Sequence, residues 1–499
     1  MYPEAPRTTT RGRRDASRPV PEERGPAIAV ASSRGGLPFF ARGEPARSRS
    51  TRLRVQRERL RVFTVHTSRH NRRRSVHRSN PGGSIMRVLI AAFAHTSHFH
   101  GFVPLAGALR AAGHDVRVAS QPGFADAITG AGLTAVPVGD DHRLLEAMRE
   151  KGAELQKYSA DIDLSRPEAH GWDYLFNLYD LSVPYFYSVI NDESFVSDLV
   201  GFARQWLPDL VLWEPYTFAG AIAARACGAA HARVLSASDL NAHFRREFVE
   251  QLAQRPAGQR PDPLEDWLTA AAARHGVAYD EELVVGQWSV DMLPQRFRLG
   301  LSLPTVGMRY LPYNGRAVVP DWLRETAPRR RVCVTTGSTG SGFTADPAVF
   351  HSYLRVLAEV DAELVVTADA AALAAVGPLP ENVRVVDFAP MDVLLEGCSA
   401  VVHHGGNGTW STALYHGVPQ IMVPYLWDTV LRAQQTAAAG AGLHLKEGEV
   451  SAEVLRDSVA RVLDDPSFLD RARALRDEAR AEPSPKDVVS VLEERVAAR

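Results

Sequence analysis

Apolar and polar positions alternate in blocks along the chain from Met86 onward. Val88-Leu89-Ile90 lies inside an apolar run over 87–93, which predicts a first buried strand. The loop Ala94-His95-Thr96-Ser97-His98-Phe99-His100-Gly101 follows. A helix is predicted through Pro104–Ala112, stopped by Gly113, and a second strand at 115–119. A further strand and helix are predicted at 209–213 and after Pro215. A second series begins at 331–336, turns at Gly337-Ser338-Thr339-Gly340, and continues with strands at 362–367, 383–386 and 401–402, then around 418–424. Helices alternating with buried strands describe β-α-β units and parallel sheets.

Between the two series, 312–330 holds Pro312, Asn314-Gly315, Pro320 and Pro328, the punctuation of a linker. The expected organisation is therefore α/β, with two Rossmann-like domains facing a central cleft. Residues 86–311 are expected to form the first domain, 312–330 a linker and 331–480 the second domain. A C-terminal helix over 481–499 is expected to pack back on the first domain. Aromatic residues concentrate between 140 and 200 (Trp172, Tyr174, Phe176, Tyr179, Tyr185, Phe186, Tyr187), either as helix core faces or as the wall of an apolar acceptor cleft.

Charge separates the first 85 residues from the rest. They carry 20 Arg, no Lys and 6 acidic residues, whereas the remainder carries 37 basic and 52 acidic residues. A segment so rich in Arg, Ser and Pro cannot bury enough apolar surface to offset its ordering entropy. It reads as upstream translation ahead of a start at Met86, or as a disordered tail, in preference to a nucleic-acid or membrane-surface arm. Three scattered cysteines, Cys227, Cys333 and Cys398, point to a reducing cytoplasm. No apolar stretch has the length of a membrane span. Neither nucleic acid nor membrane is an expected partner.

The densest chemistry lies at Ala400–Ala413. A short strand ends in His403-His404, a glycine turn follows, and Thr409-Trp410-Ser411-Thr412 can open a helix. The first amides of a helix lack internal partners, its dipole favours an anion, and glycine admits close approach of a phosphate. His404, Gly405, Gly406, Asn407, Gly408 and Thr409 are thus expected to bind a diphosphate, helped by Ser338 and Thr339 of the other glycine turn.

These motifs carry a resemblance. His404-Gly405-Gly406-Asn407-Gly408-Thr409-Trp410, His416-Gly417-Val418-Pro419-Gln420, Trp427-Asp428-Thr429 with Arg432-Ala433-Gln434, and Asp209–Pro215, with Gly286–Asp291 and Val306–Tyr310, are similar to the family 1 glycosyltransferases of antibiotic biosynthesis. Within these, the resemblance is to transferases of deoxyaminosugars onto macrolide or anthracycline polyketides. It covers about four-fifths of the chain. It implies the GT-B fold, an inverting mechanism without metal or other cofactor, and a TDP-deoxysugar donor. It also implies a cytochrome-P450-like activator, with association as a homodimer or as a heterotetramer with that activator.

His98 occupies the position of the family's general base, with His95 and His100 as rivals on the same loop. Histidine suits the role because its ordinary pKa lies near working pH. Asp428 and Thr429 replace the acid–Gln pair common in the wider family. Thr429 offers fewer bonds than Gln, which fits a donor short of hydroxyls. By resemblance, Phe388 and Ala389 are expected to contact the nucleobase. A nucleotide-sugar epimerase of the same fold and a non-catalytic helper are the alternatives.

Overall fold

The computed structural model describes residues 85–499 apart from 159–163, 165–169, 326, 328, 338–345, 426 and 427. The leader, Ser338 and Thr339, and Trp427 lie outside the described residues.

The first sheet contains β1 (Arg87–Ala91), β2 (Asp115–Ser120), β3 (Thr134–Pro137), β4 (Leu210–Trp213), β5 (Ala230–Leu235), β6 (Trp288–Asp291) and β7 (Thr305–Gly307). All pairs are parallel and the order is β3-β2-β1-β4-β5-β6-β7. Val88, Leu89, Ile90 and Ala91 are all fully buried, as a strand covered on both faces requires. The helices Glu193–Trp206 and Ala219–Cys227 bury one face with Phe195, Leu199 and Ile222, and Phe102–Ala111 covers the other with Phe102, Leu105 and Leu109. Gly220 has to be small here, because a Cβ would lie 2.6 Å from Trp213 Cβ.

The second sheet contains β8 (Arg331–Thr335), β9 (Glu363–Thr367), β10 (Val383–Val386), β11 (Ala400–His403), β12 (Gln420–Met422) and β13 (Gly442–His444), in the order β10-β9-β8-β11-β12-β13. Both sheets reverse their winding in mid-sheet, between β1 and β4 in the first and between β8 and β11 in the second. Loops leaving the carboxyl ends of those strands diverge and leave a crevice, the usual place for a ligand in open α/β sheets.

The halves share apolar contacts. Leu293 and Phe297 of the first domain are buried with Trp410, Leu414 and Leu475 of the second, and the rings of Phe297 and Trp410 meet edge-on at 4.9 Å. In the linker, Asn314 accepts a 2.7 Å hydrogen bond from the Asp392 amide. The last helix, Pro485–Ala497, buries Val488, Val489 and Leu492 in the core beneath β1 and β2. Of the aromatic residues between 140 and 200, Tyr179 and Tyr187 are buried in the core, while Trp172, Tyr174, Phe176 and Phe186 are half-buried against it.

Candidate active site

Register explains why two distant residues meet. Ala91 of β1 lies opposite Trp213 of β4, so the segments leaving both strands start side by side. His98 sits on the short helix Thr96–Phe99 after β1, and Glu214 is the first residue after β4. His98 Nδ1 lies 2.9 Å from Glu214 Oε1. The carboxylate is almost fully buried, and its other oxygen accepts from the Tyr216 amide (2.9 Å) and the Thr217 hydroxyl (3.0 Å). A carboxylate can only accept, so Nδ1 carries a proton and the neutral ring has its lone pair on Nε2.

The loop's other histidines are differently engaged. His95 Nδ1 is hydrogen-bonded to the Ser97 hydroxyl at 2.8 Å, and burial, with His98 and His142 nearby, lowers its pKa to about 4. His100 turns its ring to Tyr313 of the linker, 5.0 Å away. Only His98 of the three is bonded to a carboxylate among the described residues.

In the second domain, β11 feeds the turn His404-Gly405-Gly406 and the ten-residue helix Asn407–His416. His403 is buried within the fold. Its Nε2 donates to Gln420 (2.9 Å) and its Nδ1 accepts the Gly405 amide (3.0 Å), which sets the course of the turn. Gly405 has φ +90, a conformation glycine adopts freely. Gly406 is the N-cap and supplies no side chain, so the amides at the start of the helix have no capping partner from it.

The His404 ring fills the switch point. A Cβ on Gly406 would come within 2.6 Å of its Nε2, and one on Gly337, after β8, within 2.4 Å of its Cε1. Burial, then the Arg432 charge, holds the His404 imidazole below its ordinary pKa.

Asp428 opens the helix Asp428–Ala438 and is partly exposed, whereas Thr429 is buried against Gly405. Phe388, past β10, presents an exposed ring, while Ala389 lies in the core with Leu394 and Leu395. The two halves of the site approach each other through Tyr216. Leu431 is buried in the core cluster that Tyr216 packs against, and the Tyr216 ring stands 6.1 Å from His98. Desolvation, then Tyr187, then the Asp428 carboxylate push the Tyr216 hydroxyl well above its ordinary pKa.

Two residues of this site had no role assigned from sequence. Glu214 ends the apolar run 209–213, and a carboxylate at the end of a buried strand was the available signal. Arg432 is fully buried; it donates to the Gly405 carbonyl and to Asp428. No group of three or more His, Cys, Asp or Glu among the described residues is placed to hold a metal ion. None of their helices is long and apolar enough to cross a membrane.

Two Rossmann-like domains, with a histidine–carboxylate pair at one switch point and a glycine-rich helix start at the other, define a GT-B glycosyltransferase. The chain belongs to the erythromycin biosynthesis protein CIII-like family, whose N-terminal domain matches residues 107–337 and whose C-terminal domain matches 351–495. It is 53% identical to erythronolide mycarosyltransferase of Saccharopolyspora erythraea over 82% of this chain and 98% of that protein. It is 48% identical to 10-deoxymethynolide desosaminyltransferase of Streptomyces venezuelae, covering 83% and 98%. The crystal structure of glycosyltransferase VinC in complex with dTDP is similar with a TM-score of 0.76 and 40% identity, over 83% of this chain and all of that one.

Proposed function

We propose that the chain is an inverting glycosyltransferase that moves a deoxysugar or deoxyaminosugar from TDP to a hydroxyl of a macrolide- or anthracycline-type polyketide. The relatives' names support the chemical classes: mycarosyl and desosaminyl transfer to macrolide precursors, and rhodosaminyl transfer to aklavinone in a relative 50% identical. A structural neighbour bound to dTDP supports the nucleotide.

The observation that carries the mechanism is the 2.9 Å bond between His98 and Glu214. Nε2 of His98 takes the acceptor's hydroxyl proton as that oxygen attacks the anomeric carbon from the face opposite the diphosphate. The new C–O bond forms as the bond to the diphosphate breaks, so configuration inverts and TDP leaves with the electron pair. Glu214 holds the ring in the reactive tautomer and stabilises the imidazolium that forms. The departing charge falls to the helix start at Asn407–Thr409 and to the His404 side of the turn. Ser338 and Thr339 belong to the same reading, as do Asp428 and Thr429 for the sugar and Phe388 for the thymine. The leaving group is stabilised in this mechanism by backbone and side chains, without a metal.

A P450-like activator and assembly with it complete the proposal. The test is incubation of the chain with TDP-deoxysugars and polyketide aglycones, with and without such an activator, following glycoside, free sugar and epimerised donor separately. An anomerically inverted glycoside, formed equally in EDTA, is the expected product. Epimerised donor without glycoside overturns the reading.

A further inference from the structure

Asp428 stands where the donor sugar is expected, yet it is not free to meet a sugar with both oxygens. Its Oδ2 is taken by Arg432, one turn further along the same helix. Arg432 is 1% exposed, lies 5.2 Å from the Trp410 ring centre and donates with its other terminal nitrogen to the Gly405 carbonyl. A buried guanidinium requires a carboxylate, and Asp428 is the one paired with it among the described residues. Asp428 Oδ1 takes no bond among these residues. Arg432 therefore takes up part of the carboxylate's acceptor capacity and leaves Oδ1 as the oxygen wholly open to a sugar, where an unpaired carboxylate could offer both.

We propose that Arg432 is a positioning residue that sets donor selectivity. By holding one oxygen of Asp428, it reduces the acceptor capacity left for the sugar and so disfavours hydroxyl-rich donors relative to deoxygenated ones. A fully hydroxylated hexose brings more hydroxyls to this carboxylate than its remaining sites satisfy, and unpaired polar groups are what a binding site rejects most strongly. The same side chain ties this selectivity to the phosphate turn, because it fixes Asp428 and Gly405 together. This proposal rests on the TDP-deoxysugar reading of the site.

The test measures dissociation constants of TDP, TDP-glucose and a TDP-2,6-dideoxyhexose on the full chain, so no acceptor is needed. Arg432→Lys keeps a cation but lacks the fork that reaches both partners. It should shift the ratio of affinities at least tenfold toward TDP-glucose, whatever it does to TDP itself. In an Asp428→Asn background the same change should leave that ratio alone, since the two residues act as a unit.

Asp428→Asn alone, at a partly exposed position, gives a readout that does not depend on tolerance of a buried change. Arg432 can only donate, so it claims the amide oxygen, and the dideoxy donor should lose at least tenfold in affinity relative to TDP. An unchanged ratio in folded Arg432→Lys, or wild-type dideoxy-donor affinity in Asp428→Asn, overturns the proposal. A wild-type chain that binds none of the three nucleotides overturns the donor reading beneath it.

Discussion

Glu214 grips His98 by one carboxylate oxygen, at 2.9 Å from Nδ1, while the Tyr216 amide and the Thr217 hydroxyl pin the other. Thr217 in turn accepts the Phe93 amide at 3.1 Å, so the pair is fastened to the ends of both central strands. An imidazole held this way has one tautomer and one orientation, and it needs no rearrangement before it takes a proton.

His98→Ala should lower turnover roughly 10²–10⁴-fold, the usual contribution of a positioned base. Glu214→Gln keeps the shape but lets an amide donate to Nδ1, which moves the ring proton to Nε2. It should cost on the order of 10²-fold in kcat with little change in the dissociation constant for TDP. The double variant should be no worse than His98→Ala, because the two act as a unit. Steady-state kinetics and TDP titration check this, and His95→Ala or His100→Ala should stay near wild type. A Glu214→Gln enzyme with normal kcat would separate the pair.

Gly406→Val should weaken TDP binding more than tenfold, about 1.4 kcal/mol or more. Even its Cβ would meet His404 Nε2 at 2.6 Å, so either the ring or the turn must move away from the proposed diphosphate position. Gly337→Ala strikes the same ring from the other strand, at 2.4 Å and with φ +75, and should act in the same direction. Calorimetric titration of folded variants reads both, and unchanged affinity in either would put the diphosphate elsewhere.

Much of the scaffold was legible because β1, β4 and β8–β12 carry apolar runs and glycines stand beside β2, β8 and β11. β5 was not, since Ala-His-Ala-Arg-Val-Leu carries two polar side chains that are fully buried. Arg233 is held there by a two-point bond to Asp239 and a third to Ser289, 56 residues away, and no local pattern announces such a partner. β7 and β13, three residues each, are too short to show a period. The same limit governs the site. His98 could be singled out by resemblance, but its physical distinction from His95 and His100 is a bond to a residue 116 positions on, which exists only once β1 and β4 pair.

Stability should rise with pH between about 4 and 6.5. Burial first, then neighbouring cations or histidines, lowers His231 and His403 to about 3, and His95 to about 4. A depressed histidine stabilises fully above its unfolded value of 6.5 and loses that contribution as pH falls through its folded value. Asp291 opposes them: burial raises it from 3.8 to about 7, so its contribution is lost as pH rises through that range. From these four groups alone, unfolding within the window takes up three protons at the histidines and releases one at Asp291. The net two-proton slope is on the order of 2–3 kcal/mol per pH unit at its steepest. Urea midpoints at pH 4.5, 5.5 and 6.5 measure it. Asp291→Asn should steepen the rise, and a flat or falling profile would contradict the buried-neutral histidines.

The last expectation concerns the wall beside His98. Val183–Tyr187 is a π-helical turn within a helical run that starts at Trp172, an irregularity that often marks a functional position. It carries Phe186 to edge contacts with Phe93 (6.3 Å) and Tyr216 (5.1 Å), the two rings that stand 4.7 and 6.1 Å from His98. Phe186 is half-buried, so an apolar acceptor could complete its burial. Phe186→Ala should therefore raise KM for the aglycone by about tenfold, since losing contacts across one ring is worth roughly 1.5 kcal/mol. KM for the TDP-sugar should stay within about twofold, and Phe186→Leu should restore much of the aglycone affinity while checking that the fold is intact. A rise in KM for the TDP-sugar with the aglycone unaffected would place this wall on the donor side of His98.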